Sequence, residues 1–395
     1  MGPESKPVAD GPCCRRLGPE AERHLWNDLR PAVGSPVARS VPAGWEVLLT
    51  LGPRTEPRGI VVVDLNCVTT PERWHEALVR ELPGTGGVRA AGFVLPPRWR
   101  GTYRFHRPPG APDAIDDAPR PEWAAARRTG TTGDAPAADV WPHAPFSPAA
   151  ELAVPDAPVP PGGPLRPADP EGVPELAVPA PAPRTRVARI DGGLGTLVVL
   201  DGRQFLGFGL LDALRTLPVP PRTVLAVGST SDRTRAADLS CDAAVRDAVL
   251  AAAVAEGADD GGPLVVAGAS LGGAAATWWG LTRPDVVDGV VALSASFWMR
   301  DAAGRPVWEA VPAGGAHGRV AGEPAGPPLV LGWGSCEPRL ARGCEEAARE
   351  LAPRCPLVGP LGWVGGHDVV HWVGGVVEGF GRLAAGPFTN KARLT

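Results

Sequence analysis

The chain is poor in several things that would each have declared a function. Only Lys6 and Lys391 are lysines, so nearly every cation among the 39 Lys and Arg residues is an arginine. Set against 43 acidic residues the net charge is −4, and no basic field points to nucleic acid or to an anionic membrane surface. No apolar run approaches the length that crosses a bilayer, so a membrane partner is not expected. The opening Met-Gly-Pro-Glu-Ser-Lys-Pro has no apolar core behind its charge and does not read as a secretory signal. The seven cysteines are odd in number and scattered, with no Cys-x-x-Cys pair. That argues against a disulfide framework and against structural zinc, and predicts a reduced, cytoplasmic setting.

What is present is glycine (51), proline (48) and a hydrophobic fraction of 44%, a globular composition broken by many turns. Residues 1–20 are rich in Gly, Pro and charge and are expected to be disordered. Glu20–Leu29 reads as a short helix. Trp45–Thr50, Gly59–Asp64, Gly92–Leu95 and Thr102–Phe105 then read as strands separated by Gly/Pro turns. This predicts a small all-β sandwich, immunoglobulin-like, over residues 21–148. Proline and alanine dominate from about Pro108 to Pro183, and a Pro-rich linker is placed at 149–170. From there to residue 388 strand and helix alternate: Gly195–Leu200, Thr223–Val227, the helical Asp242–Ala255, Leu264–Ala267, Val286–Leu293 and Leu329–Leu331. Such alternation predicts an α/β domain with a mostly parallel sheet and helices on both faces.

Within that domain, Leu264-Val265-Val266-Ala267 runs into Gly268-Ala269-Ser270-Leu271-Gly272 and then an alanine-rich helical stretch. Gly-x-Ser-x-Gly is weak evidence alone in so glycine-rich a chain. Its strand-turn-helix context is what makes Ser270 a candidate nucleophile of an α/β-hydrolase. A serine hydroxyl needs a base. The order Ser, acid, His selects among His317, His367 and His371. His367 lies in the loop Gly365-Gly366-His367-Asp368, His371 one helical turn later, and His317 in a Gly-Ala loop ahead of the acid. The acid should follow the strand ending near Leu331, which gives Glu337; Asp368, adjacent to the base, is poorly placed for it. Backbone donors for an oxyanion are expected at Leu271 and at Gly202 or Arg203, after the Leu197–Leu200 strand. Sites in open α/β sheets lie beyond the carboxyl ends of strands, where Asp201, Arg203, Ser229, Asp232, Arg233, Arg235, Ser294 and Ser296 also fall.

Taken together, Leu200-Asp201-Gly202-Arg203-Gln204, Arg235-Ala236-Ala237-Asp238-Leu239, Gly268-Ala269-Ser270-Leu271-Gly272-Gly273, Ser296-Phe297-Trp298 and Gly365-Gly366-His367-Asp368 with Trp372 resemble the enterochelin (enterobactin) esterase family in order and spacing. Pro83-Gly84-Thr85-Gly86, Leu95-Pro96 and Arg100–Phe105 are similar to that family's accessory β-domain, so the resemblance runs from about Trp45 to Trp372. It implies a cytoplasmic esterase that opens the trilactone of a ferric catecholate siderophore. Iron would then enter only as part of the substrate, with no cofactor or resident metal. It further implies Ser270 as nucleophile, His367 as base, and Arg235, with Arg233 and Trp298, at the substrate. Planar guanidinium groups suit catecholate oxygens and aromatic faces. A salt bridge to Asp238 is the alternative role for Arg235. The family's Arg-x-x-Glu-Leu glutamate is Asp238 here, Val88 stands near its usual tryptophan, and Met299 follows Trp298.

Three other readings stay open on the residues alone. The same fold serves general carboxylesterases and acyltransferases. His367-Asp368-Val369-Val370-His371 differs by one methylene from a His-Glu-x-x-His zinc motif. A siderophore-binding protein without turnover would keep the fold as well.

Overall fold

The computed structural model describes residues 14–52, 61–66, 68–69, 75–106, 140–141, 149–228, 235, 239, 241–257, 262–310 and 326–385. Ser229, Asp232, Arg233, Asp238, His317, residues 1–13 of the expected disordered segment and most of the Pro-rich stretch lie outside these residues. The chain divides into two compact units: Met1–Pro158 with Trp363–Asp368, and Val159–Gly362 with Val369–Thr395.

The first unit is antiparallel. Its strands are β1 (Arg15–Arg16), β2 (Val37–Val41), β3 (Gly44–Leu51), β4 (Val62–Leu65), β5 (Arg80–Glu81), β6 (Arg89–Leu95), β7 (Arg100–His106), β8 (Val140–Trp141) and β9 (Ala149–Ala153). One sheet runs β1-β6-β3-β2 with β5 on β6, and another runs β4-β7-β9-β8. In β3 the residues Val47–Leu51 are buried without interruption, and Leu48 lies on the face covered by a helix, α1 (Pro19–Leu29). Leu25 of α1 packs with Leu17, Leu48, Ala90 and Val94. The immunoglobulin-like part of the expectation finds no support here: a helix lies on one sheet, and three of the described strands have two residues each.

Residues 14–20, inside the stretch expected to lack structure, hold β1 and the start of α1. The charges there are paired rather than solvated. Arg16 Nη1 meets Glu22 Oε1 at 2.5 Å, the Gly92 N–H donates to the same oxygen at 2.7 Å, and Arg16 donates to the carbonyls of Gly92 and Leu78. Burial pushes the Arg16 guanidinium down to about 10 and the Glu22 carboxyl up, each toward its neutral form. Desolvation therefore outweighs the attraction within the pair, and the pair serves to fix β1 and α1 on β6 more than to add net stability. Glu22 Oε2 and Arg16 Nε are buried without a hydrogen bond.

The second unit holds one sheet in the order β10-β11-β13-β12-β14-β15-β16-β17. Its strands are β10 (Glu175–Leu176), β11 (Thr185–Arg189), β12 (Thr196–Leu200), β13 (Thr223–Val227), β14 (Leu264–Ala269), β15 (Gly289–Leu293), β16 (Leu329–Gly334) and β17 (Leu357–Trp363). β13, β12, β14, β15 and β16 are parallel; β11 and β10 join antiparallel at one edge. The helices are α2 (Gly202–Gly207), α3 (Leu210–Leu214), α4 (Ala243–Glu256), α5 (Leu271–Thr282), α6 (Pro338–Leu351) and α7 (Val369–Ala385). The period of two sends alternate side chains of β15 to opposite faces. Val290 and Ala292 join α5 in the main core, while Val291 and Leu293 lie against Gly379 and Gly375 of α7. Burial on both faces is why these strands read as unbroken aliphatic runs.

Of the expected linker 149–170, residues 149–153 are β9 of the first unit, and the boundary between units falls at Pro158. Cys336 is disulfide-bonded, contrary to the reading of the scattered cysteines. Cys14, Cys241, Cys344 and Cys355 are free, and the other two, Cys13 and Cys67, lie outside the described residues. Among the described residues no helix is long and apolar enough to cross a membrane.

Replacing Glu22 by Ala leaves Arg16 buried without its counter-charge. The expected outcome is a loss of about 3–5 kcal/mol in stability, read as a lower urea midpoint for the full chain.

Candidate active site

Ser270 sits between β14 and α5 with φ 57° and ψ −123°, a conformation that L-residues adopt only under constraint. The constraint is backbone crowding. A Cβ on Gly268 would stand 2.4 Å from the carbonyl oxygen of Gly272, and one on Gly272 would press on Leu200 at 3.3 Å. Gly268 is therefore required by contact with backbone, while a side chain at Gly272 would need Leu200 to give way. The strained residue is clamped by its own backbone. Its N–H donates to Leu293 O at 2.9 Å, and its carbonyl accepts from Ser296 N at 2.9 Å and from Gly273 N at 3.1 Å. Leu271 is the first residue of α5, where backbone N–H groups have no partner within the helix. That end of the helix favours developing negative charge.

The next strand end is equally constrained. Ser294, after β15, has φ 42°. Its hydroxyl donates to Glu337 Oε2 at 2.8 Å and accepts from Trp372 Nε1 at 3.1 Å, and Gly334 N donates to the same carboxylate oxygen at 2.8 Å. Glu337 is 4% exposed, directly before α6. Sequence order alone singled it out; the structure adds that it is buried and rigidly bonded. Ser296 brings its Oγ to 3.4 Å from Ser270 Oγ.

On the other side of β14, at the end of β12, Asp201 also has positive φ, 58°. Its carboxylate takes a two-pronged contact from Arg235, Nε to Oδ1 at 2.8 Å and Nη2 to Oδ2 at 2.7 Å. Arg235 thus has Asp201 as a partner, while Asp238, the partner expected from the sequence, lies outside the described residues. Gly202 opens α2 and is packed so tightly on β13 that a Cβ would lie 2.4 Å from Ala226 Cα. Arg203 follows it, and its guanidinium pairs with Glu171 at 2.8 Å, a carboxylate shared with Arg186. The Arg203 hydrogen bond, more than the nearby Arg186 charge, holds Glu171 below its ordinary range against the opposing effect of burial. Trp298 is 71% exposed. It borders a cavity of about 400 Å³ shared with Phe297, Trp308, Arg339 and Arg342.

His367 belongs to the first unit with the rest of Trp363–Asp368, and its carbonyl accepts from Asn66 Nδ2 at 2.9 Å. His371 lies in the first turn of α7, half-buried. Among the described residues no group of three His, Cys, Asp or Glu side chains is placed to hold a metal ion. Burial pushes the Cys241 and Cys344 thiols up to about 12, so neither is a thiolate nucleophile.

A mostly parallel sheet with a strained serine at a strand-helix turn defines the class: an α/β-hydrolase-like unit joined to an antiparallel first unit. No family model matches the chain. In sequence it is 31% identical over 214 residues to the iron(III) enterobactin esterase of Dickeya dadantii, covering 48% of this chain and 47% of that protein. It is 30% identical over 170 residues to the enzyme of the same name from Escherichia coli, covering 41% of each. The chain thus spans less than half the length of the curated relatives it matches. In fold it is similar to the crystal structure of the enterobactin esterase of Shigella flexneri, with TM-score 0.65 and 22% identity over 91% of this chain and 97% of that one. The ferric enterobactin esterase of Salmonella typhimurium gives TM-score 0.66 and 21% identity over 91% and 98%. The chain is thus similar to enterobactin esterases over part of its sequence and across its fold.

A methyl group at residue 268 has no room against Gly272 O. Gly268→Ala is expected to shift the elbow and lower stability by about 1–3 kcal/mol, read as a lower urea midpoint for the full chain. A variant with the wild-type midpoint would show that the crowding is not what shapes the turn.

Proposed function

We propose that this chain is a serine esterase that hydrolyses the trilactone ester bonds of a ferric catecholate siderophore of the enterobactin kind and so releases iron in the cytoplasm. The observation that carries the reading is Ser270 in its forced turn, φ 57°, between β14 and α5. Strained backbone of this kind clusters at functional sites, and here it falls on a hydroxyl-bearing residue at the end of a parallel strand.

In this reading Ser270 Oγ attacks a lactone carbonyl carbon while His367 takes its proton. The tetrahedral oxyanion is met by the N–H of Leu271 and by a second N–H at Gly202 or Arg203. Collapse breaks the ester C–O bond, the imidazolium returns the proton to the leaving serine alkoxide of the siderophore, and an acyl-enzyme remains. Water then attacks that ester, with His367 again accepting a proton, and frees both the acid and Ser270. Glu337 would orient the imidazole and stabilise its charged form; its burial and its two bonds through Oε2 support a positioning role. Arg235 and Trp298 would face the substrate, Arg235 with its guanidinium plane set by Asp201. Iron is cargo within the substrate, and no cofactor takes part.

The test is chromatography with mass detection of ferric enterobactin incubated with wild type and with Ser270→Ala. Wild type is expected to release linear trimer, dimer or monomer of dihydroxybenzoylserine, and the variant to lose about 10⁵- to 10⁶-fold in kcat. Equal cleavage by both proteins would sink the Ser270 assignment. If neither cleaves it while wild type hydrolyses a simple aryl ester, the chain is a serine esterase of another substrate.

A further inference from the structure

We infer that Thr102 and Asn66, both in the first unit, are positioning residues for His367; the inference rests on the reading of His367 as the base. The loop Trp363–Asp368 is gripped at three points. Arg100 N donates to Val364 O at 3.1 Å, Asn66 Nδ2 to His367 O at 2.9 Å, and Thr102 donates twice to Asp368 Oδ2. Those two bonds are the shortest of the set, 2.6 Å from the backbone N–H and 2.8 Å from the hydroxyl. Asp368 is 2% exposed, so its carboxylate is held by directed donors out of water, where each bond is strong. Asn66 is tied in turn to the same strand, its N–H donating to Thr102 O at 3.0 Å.

These contacts act on the backbone on both sides of the His367 Cα: its own carbonyl, and the side chain of the next residue. None uses the imidazole. They therefore fix the direction of the side chain without competing for its nitrogens. The need for such fixing is written in the sequence, because Gly365 and Gly366 precede the histidine and bring more backbone freedom than any other pair of residues. A base displaced by about 1 Å loses on the order of 10²-fold in rate. Asp368, a poor candidate for the triad acid because it adjoins the base in the chain, has a different task. It is the peg by which β7 holds the loop.

The experiment uses the full chain and three variants, Thr102→Val, Thr102→Ser and Asn66→Ala, with His367→Ala as the reference. Steady-state hydrolysis of p-nitrophenyl butyrate is measured beside hydrogen–deuterium exchange of peptides spanning 361–372 and 264–277. Thr102→Val keeps shape and backbone and loses only the hydroxyl donor. It is expected to lower kcat about 10- to 100-fold with KM within about twofold, and to raise exchange in 363–368 but not around Ser270. Thr102→Ser should restore both, and Asn66→Ala should repeat the loss if the valine variant folds poorly. Unchanged exchange in the loop overturns the inference, as does a loosened loop with wild-type kcat. So does a serine variant as impaired as the valine one. If His367→Ala hydrolyses the ester as fast as wild type, the base assignment itself fails, and the anchoring of the loop then has no catalytic meaning.

Discussion

The second unit depends on one close contact, the approach of residue 268 to the carbonyl of residue 272. With no side chain at either glycine the chain can leave β14 and enter α5 within a single residue, and that residue must take a positive φ. The cost of such a conformation, about 1–3 kcal/mol, is offset by bonds from Ser270 to Leu293, Ser296 and Gly273, which join the ends of two strands and the start of a helix. Strain recurs at the neighbouring ends of β12 and β15, where Asp201 and Ser294 also have positive φ. Each is held in place by a partner from elsewhere in the same unit, Arg235 for Asp201 and Glu337 for Ser294. Rigidity at these strand ends comes from such bonds as much as from the apolar core beneath.

Carboxylates are the recurrent anchors, and their surroundings decide what each contributes. Asp201 is paired with a guanidinium in fork geometry at 7% exposure, while Glu337 and Asp368 are bonded by hydroxyl and backbone N–H donors. Ser294, Gly334 and Thr102 supply those donors to the last two. Glu22 is the costly case: it shares a dry site with Arg16, and burial drives both toward neutrality. The near absence of lysine gains a physical sense from these pairings. Arg235 on Asp201 uses two nitrogens of a planar fork, which an ammonium group lacks.

The arginines also change what is expected of the substrate side. Arg203 and Arg235 stand at strand ends as read from the sequence, yet each carries a carboxylate partner, Glu171 and Asp201. Their charge is therefore largely balanced before a ligand arrives. Geometry, a guanidinium plane set by a buried aspartate, is what Arg235 would offer an anion beyond bare attraction.

Local chemistry made much of this protein readable. The aliphatic runs of β12, β13 and β14 are long, apolar and bounded by turns, so strand and helix alternate legibly, and Gly-x-Ser-x-Gly in that setting marks a turn where a Cβ at residue 268 has no room. Chain order alone named Glu337 as a candidate, since the strand before it was visible as Leu329–Leu331. The pairings were not legible: Asp201 with Arg235, Ser294 with Glu337, Thr102 with Asp368 and Asn66 with His367 span 34, 43, 266 and 301 residues. Nor was the order of β1, whose charges resemble a solvated tail until Arg16 meets Glu22; α1, by contrast, was readable as Glu20–Leu29. Periodicity and turn chemistry act over a few residues and so survive in the sequence alone. Which polar groups meet is decided by sheet order and strand register, and those exist only once the chain has folded.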